Sequence, residues 1–147
     1  MTDDRVLCVD SPGNGIVPAL NHGIAVAQYP YIARMDGDDI AAPTRLATQL
    51  AYLQQNPEIA IAGAKVRLFA DEGELGGGYA LYQTWINQQC TPQAIQRSMF
   101  VESCIPHPTA MFHRDVIDAL GGYHDTPWPE DYDLWCRAHL RLSLIHI

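Results

Sequence analysis

Three carboxylates stand within four positions at Asp36-Gly37-Asp38-Asp39. So close together they repel one another unless a positive group neutralises them, and a divalent cation is the economical neutraliser. Oxygen-only donors suit Mg2+ or Mn2+, and Gly37 lets the backbone turn so that the flanking carboxylates face one ion. The competing reading is a solvated acidic turn. A second acidic pair, Glu130-Asp131, lies far along the chain between Trp128, Tyr132 and Trp135. Alone, such a pair at a helix start is ordinarily a cap. Combined with an upstream metal cluster it becomes a candidate general base, because a carboxylate beside aromatic walls can take a proton from a sugar hydroxyl held against them. His107, between Pro106 and Pro108, is a candidate ligand or proton relay, weighed against the commoner structural histidine.

Other chemistries fit less well. An EF-hand starting at Asp36 would place Ile40, Ala41 and Ala47 where an oxygen ligand, a glycine and a glutamate are required. No Gly-Lys-Ser/Thr triplet exists, which excludes a P-loop. An aspartyl-nucleophile phosphatase would want a downstream lysine, and Lys65 is the only lysine in the chain. Gly13-Asn14-Gly15 follows an apolar run and has Asp36 about twenty positions on, as in a dinucleotide-binding turn. However, Pro18 stands where that turn needs its third glycine.

The elements that must position these groups follow from periodicity. Residues 5–9 read as a strand, and Ile16, Leu20, Ile24 and Ala27 as a helix that Asn14 could cap and whose first turn tolerates Pro18. Residues 31–35 read as a strand delivering the acidic cluster at its carboxyl end. Pro43-Thr44 opens a helix with Leu46, Leu50 and Leu53 on one face, closed by Asn56-Pro57. A third strand is expected over 59–61 and 65–69. This alternation predicts an α/β layered sheet with parallel neighbours. The glycine-rich stretch 71–78 predicts a loop, with a lid as the rarer alternative. Helices are expected over 79–90, from Thr91-Pro92, over 114–120 with Gly121-Gly122 as the stop, and from Trp128-Pro129 with acids in the first turn. Residues 142–147 form an apolar tail with neither cap nor terminus signal, and no function is assigned to it.

A chain of 147 residues with 48% apolar content fits one domain with one core. Asp and Glu number 17 against 9 Lys and Arg, a net charge of −8, and no basic run exists. Such a surface repels nucleic-acid backbones and anionic lipid heads, so a phosphate must be met through a cation or a few placed arginines. No apolar stretch is long enough to span a bilayer, and Met1-Thr2-Asp3-Asp4-Arg5 does not open a secretory signal. The four cysteines, Cys8, Cys90, Cys104 and Cys136, form no Cys-x-x-Cys pair and read as free thiols of a reducing cytoplasm.

Taken in order, Ala19-Leu20-Asn21-x-Gly23-Ile24, Tyr31-Ile32-Ala33-Arg34-Met35-Asp36-Gly37-Asp38-Asp39-Ile40, Pro43-x-Arg45-Leu46-x-x-Gln49, Asn56-Pro57-Glu58-Ile59, His107-Pro108-Thr109-Ala110-Met111-Phe112, Gly121-Gly122-Tyr123 and Glu130-Asp131-Tyr132-Asp133-Leu134-Trp135 resemble a family 2 glycosyltransferase. The resemblance covers residues 5–141. It implies a GT-A fold, a three-layer α/β sheet with helices on both faces. It further implies a nucleotide-diphosphate sugar donor, a hydroxyl acceptor such as a saccharide, and a single inverting displacement. Asp36 and Asp38 match the family's Asp-x-Asp element, which holds Mn2+ or Mg2+ against the diphosphate, with Asp38 the first choice of ligand. Asp131 matches the general base, and Glu130 a group orienting acceptor or base. Asn21, Arg34, Asp36 and Arg45 fall in segments resembling donor contacts, Arg45 having a structural alternative. Asp39 and His107 are kept as further candidates.

Family members ordinarily begin with an apolar strand ending in a Pro-x-Tyr-Asn-like turn and an acidic second strand that cradles the nucleoside base. Neither is in this chain. The expectation is a partial catalytic domain, truncated at both ends and inactive alone, whose full-length form is cytoplasmic and peripheral at the inner membrane, in envelope polysaccharide assembly. The alternatives are a non-catalytic fragment or interaction module that self-associates through an exposed sheet edge, and a dinucleotide-dependent oxidoreductase.

Overall fold

Helix α1 (Ile16–Val26) begins where Gly15 turns the chain with φ 93°, a left-handed value that only glycine adopts cheaply. Asn14 is therefore not its cap: the turn comes from the Gly15 backbone and no side chain caps the helix. Pro18 sits in the first turn, where its missing amide costs nothing. Val17, Leu20 and Ile24 face the core. The far end is closed by Arg114, whose guanidinium donates to the carbonyls of Ile24 and Ala27, a cation placed on the negative end of the helix dipole. The computed structural model describes residues 3–70, 73–140 and 143–146.

Strand β1 (Tyr31–Ala33) is shorter than the expected 31–35, and its direction carries the chain into the turn at Gly37 and Asp38. Helix α2 (Arg45–Gln55) buries Leu53 and, unexpectedly, Gln49, while Leu46 is exposed. Gln49 is satisfied in the interior: its amide donates to the Ala62 carbonyl at 2.9 Å and the Thr109 carbonyl at 2.8 Å, and its oxygen accepts from Arg45 Nε at 2.9 Å. One side chain thus ties a helix, a strand and the turn at His107. Gln49→Ala should cost about 2–4 kcal/mol in chemical denaturation, because two buried carbonyls lose this donor. An unchanged midpoint would show that water replaces it.

Strand β2 (Ile59–Gly63) is buried along its whole length. Its expected continuation over 65–69 is not a strand. That backbone is instead bonded by side chains of helix α3 (Gly77–Ile86): Asn87, just past the helix, exchanges two hydrogen bonds with Val66, and Gln83 accepts from the Leu68 amide. With Asn87 so engaged, α3 stops short of the expected position 90. It also starts within the glycine stretch, and residues 71 and 72 of that stretch lie outside the described residues. Helix α4 (Pro92–Ser98) is capped by Thr91, which accepts from the Ala94 amide at 3.1 Å.

The sheet corrects the expectation of parallel neighbours. Strand β3 (Met111–His113) lies between β1 and β2 and runs antiparallel to both, so β1 and β2 point the same way without touching. Two short strands joined through a helix gain no direct pairing when a later strand fills the gap between them. Strand β4 (Ser143–His146) pairs in parallel with the other edge of β2, giving the order β1-β3-β2-β4. Residues 143–146 of that tail thus supply an edge strand by main-chain pairing, for which caps are irrelevant; 142 and 147 lie outside the described residues. The run at 5–9 forms no strand: no described segment pairs with it, and Val6, Leu7 and Val9 are exposed.

Side chains alternate between the sheet faces except across a register irregularity between Ile59 and Ile61 of β2. Tyr31, Met111, Ile59 and Ala62 pack with Leu50 and Leu53 of α2 on one face. Ile32, Phe112 and Ile61 pack on the other with α1, helix α5 (Arg114–Leu120) and helix α6 (Glu130–His139). Helices therefore cover both faces in a three-layer α/β arrangement. Gly121 and Gly122, with φ 80° and 77°, end α5 as expected. Arg137 of α6 fixes that ending by donating to the Leu120 and Gly122 carbonyls while paired with Asp133 at 2.7 Å. Trp135 is fully buried, its indole N–H donating to the Ile105 carbonyl at 3.1 Å.

Candidate active site

Where β1 ends, Arg34 turns inward and the acidic turn begins. The Arg34 side chain is 10% exposed and forms an ion pair with Asp36, yet its buried Nη1 has no hydrogen bond of good geometry among the described residues. Asp36 is half-buried, while Asp38 and Asp39 are exposed; the Asp39 amide closes the turn on the Asp36 carbonyl at 3.4 Å. Arg45 braces this segment from α2. It donates to the Arg34 carbonyl at 2.8 Å, lies 3.2 Å from Met35 Sδ and bonds Gln49. Burial lowers its pKa and the charge of Asp39 opposes that. Its guanidinium is engaged in holding the acidic turn on the sheet.

On the facing side, α6 presents Glu130 and Asp131 in its first turn. Neither carboxylate caps the helix in the ordinary way, since the residue before it is Pro129 and no side-chain cap forms. Asp131 accepts from its neighbour's amide, Tyr132 N, at 2.8 Å, and Ser103 Oγ approaches at 3.5 Å. Its pKa is raised, first by burial, with the charge of Glu130 adding to it. Of the three aromatic residues expected to wall this carboxylate, Trp135 does not: its indole is enclosed in the core. Tyr132 is half-buried and Trp128 is exposed.

His107 and Tyr123 connect the two sides. His107 opens a short 3-10 turn (His107–Thr109) ahead of β3 and is buried. Its Nδ1 lies 3.4 Å from Glu130 Oε1, its Nε2 2.9 Å from the Tyr123 hydroxyl, and Trp135 meets it edge-on. Burial, reinforced by the charge of Arg34 and opposed by that of Asp36, lowers its pKa from 6.5 to about 4. It is neutral at pH 7. The Tyr123 phenol is pushed well up by burial and by the carboxylates of Asp131 and Glu130, against Arg34. Arg34 and Asp36 therefore act on His107, Arg34, Glu130 and Asp131 act on Tyr123, and Glu130 also reaches the His107 ring, so the two hydrogen-bonded side chains link the two sides.

Asn21 belongs to this assembly by a different route from the one expected. Its amide clamps the Tyr123 backbone, donating to the carbonyl and accepting from the N–H, both at 2.9 Å. A Cβ at Gly122 would fall 2.7 Å from Asn21 Oδ1, so the glycine is what admits the clamp. The structure thus brings Asn21, Arg34, Asp36, His107, Glu130 and Asp131 into one connected region. No described contact joins Asp38 or Asp39 to the Glu130 side, and among the described residues no three His, Cys, Asp or Glu side chains are grouped to hold a metal. Residue reasoning missed Tyr123, Ser103 and Gln49 as parts of the site. The Gly-Gly before Tyr123 signalled a constrained turn; Ser103 carried no signal.

The family model of glycosyl transferase family 2 matches residues 2–121 of this chain. O-antigen biosynthesis glycosyltransferase WbnJ of Escherichia coli is 36% identical over 81% of this chain and 43% of its own length. Bifunctional glycosyltransferase pgtA of Dictyostelium discoideum is 32% identical over 97% of this chain and 22% of its own length. Amylovoran biosynthesis glycosyltransferase AmsE of Erwinia amylovora is 29% identical over 90% of this chain and 46% of its own length. The chain spans less than half the length of these relatives. No described helix is long and apolar enough to cross a membrane. With most of its length matched in order and a three-layer α/β sheet of the GT-A class, the chain belongs to glycosyl transferase family 2.

Proposed function

We propose that this site, in the whole protein, transfers a sugar with inversion from a nucleotide-diphosphate donor to a hydroxyl acceptor. The observation that carries the reading is the convergence of Arg34 and Asp36 with Glu130 and Asp131 about His107 and Tyr123. One wall offers a cation and carboxylates for a diphosphate. The other offers a half-buried carboxylate with a raised pKa for an acceptor hydroxyl. Asp131 is the general base, and Glu130 orients acceptor or base. Arg34, buried and lacking a full set of bonds, is the residue suited to a donor phosphate. Asn21 and Arg45 shape the donor side by holding the Tyr123 turn and the acidic turn.

The donor set at Asp36 and Asp38 is all oxygen, and two carboxylates suit Mg2+ or Mn2+ when phosphate oxygens complete the shell. Asp38 is the freer ligand because Asp36 is paired with Arg34. Bound there, the ion would supply Lewis-acid stabilisation of the charge that grows on the departing nucleoside diphosphate. An open apolar cavity of about 590 Å3 lined by Leu68, Gly76, Gly78, Tyr79 and Tyr82 offers aromatic surface against which an acceptor could stack. The Tyr82 phenol pKa is raised by burial first and then by the charges of Glu102 and Asp131. The relatives named for O-antigen and amylovoran biosynthesis support a place in polysaccharide biosynthesis; the acceptor we propose is a saccharide, met at the cytoplasmic face of the inner membrane.

A transfer assay with nucleotide-diphosphate sugars, Mn2+ and saccharide acceptors, with the product's anomeric configuration read by NMR, tests the reading. Retained configuration would remove the inverting step, and no metal-stimulated release of nucleoside diphosphate from any donor would remove the reaction. A second reading, a non-catalytic or self-associating piece, is favoured by Val6, Leu7 and Val9, which are exposed and pair with no strand among the described residues. Under it the 147-residue chain alone binds donor weakly or not at all. Saturable micromolar heat on titration with donor and Mn2+ would exclude that.

A further inference from the structure

The fixed histidine between the two carboxylate sets has a role beyond filling the core. We propose that His107 is a positioning residue that aims Glu130 at the acceptor, acting as a neutral Nδ1–H tautomer fixed by Tyr123, whose own main chain is clamped by Asn21. The inference rests on the reading of Glu130 and Asp131 as the acceptor side.

Geometry sets the tautomer. Nδ1 faces Glu130 Oε1 at 3.4 Å, and Nε2 faces the Tyr123 hydroxyl at 2.9 Å. A carboxylate can only accept, whereas a phenol can donate or accept. The arrangement in which both contacts are attractive in the neutral ring has Nδ1–H pointing to Glu130 and Nε2 accepting from Tyr123. The opposite tautomer would set a nitrogen lone pair against a carboxylate oxygen. A doubly protonated ring would also suit the carboxylates of Asp36 and Glu130, but burial, reinforced by the charge of Arg34, outweighs them and lowers the pKa to about 4, so the ring is neutral at pH 7. The charged and titratable groups facing it are Arg34 and Asp36 from the end of β1, Tyr123 from the turn after α5, and Glu130 from α6.

The relay then runs through mutually supporting contacts. Asn21 fixes the Tyr123 backbone with two hydrogen bonds, which is possible because Gly122 has no Cβ. Tyr123 fixes the ring's proton, and the proton restrains Glu130. Trp135 packs edge-on against the imidazole and holds its plane. At 3.4 Å the last contact is an electrostatic one, longer than an ordinary N–H···O hydrogen bond, as contacts of a site without its substrate often are.

Long-range 15N–1H spectra of the 147-residue chain at pH 7 should show His107 as a single neutral tautomer protonated at Nδ1. Tyr123→Phe should mix in the Nε2–H form and move the Glu130 carboxyl 13C resonance, although Tyr123 makes no hydrogen bond to Glu130. Glu130→Ala, a second variant that leaves the Tyr123 contact in place, should also abolish the single tautomer. The amide fingerprint of each variant serves as the folding control. An Nε2–H ring in the unmodified chain, or a Glu130 resonance indifferent to Tyr123→Phe, would overturn the proposal. So would an Nδ1–H ring unaffected by Glu130→Ala. None of these readouts needs sugar transfer, so their failure and the failure of the proposed reaction can be told apart.

Discussion

Asp131→Asn should lower sugar transfer by ~10²–10⁴-fold, the range for losing a general base, while leaving donor binding unchanged. The separation of the two effects follows from placement. Asp131 lies on α6 with Glu130, whereas the donor-side groups, Arg34 and the acidic turn, leave the end of β1 on the other wall. Asparagine keeps the oxygen that accepts from Tyr132 N, so the local backbone survives. Burial raises the folded pKa of Asp131, so its ionised form carries a desolvation cost in the native state. The sign follows: the folded chain binds this proton more tightly than the unfolded chain, and the cost is absent below the unfolded pKa and full above the folded one. At neutral pH Asp131→Asn should therefore raise, or at least not lower, the denaturation midpoint. The acid limb of the transfer profile, set above the ordinary carboxylate range, should vanish with it. Equal loss of donor binding and transfer would assign Asp131 to structure instead.

The parts of this fold legible in the residues are those governed by local rules. The helical spacing of Leu20 and Ile24 in α1 and of Leu50 and Leu53 in α2, the start of α4 at Thr91-Pro92, and the Gly121-Gly122 stop of α5 each depend on neighbours a few positions away and are found as expected, whereas Ile16 and Leu46 are exposed. What periodicity could not reveal was pairing. Residues 5–9 and 65–69 have strand composition, but a strand exists only where another backbone completes its ladder. The first has none among the described residues, and the second is bonded by Gln83 and Asn87 side chains. The insertion of β3 between β1 and β2 is a long-range choice of the same kind. At the site, the acidic clusters were visible because like charges crowded together demand an explanation. The clamp by Asn21, the bridge by Gln49 and the His107–Tyr123 contact were not, since polar side chains that bond distant backbone or one another leave no periodic trace. Arg45 was visible as a cation, but its engagement with the Arg34 carbonyl depends on how α2 docks.

Asp38→Ala should remove metal-dependent transfer, a loss of ~10²–10³-fold or more, the range for deleting one electrostatic stabiliser of a developing negative charge. The two aspartates of the acidic turn are not equivalent. Asp36 is held by Arg34, so its lone pairs are partly engaged and its removal would also strand a buried guanidinium. Asp38 is exposed and forms no hydrogen bond or ion pair among the described residues, which leaves its oxygens open to an ion and makes its truncation harmless to the fold. Denaturation of Asp38→Ala should accordingly shift by no more than about 0.5 kcal/mol, as for a surface change away from special features. Asp36→Ala should cost stability and transfer together. Chelation supplies the cross-check: removing Mn2+ or Mg2+ from the unmodified enzyme should lower transfer by the same factor as Asp38→Ala, and chelation of the variant should do nothing more, because both perturbations delete one interaction. Undiminished metal-dependent transfer by Asp38→Ala would move the cation to other ligands and leave the acidic turn as a solvated loop.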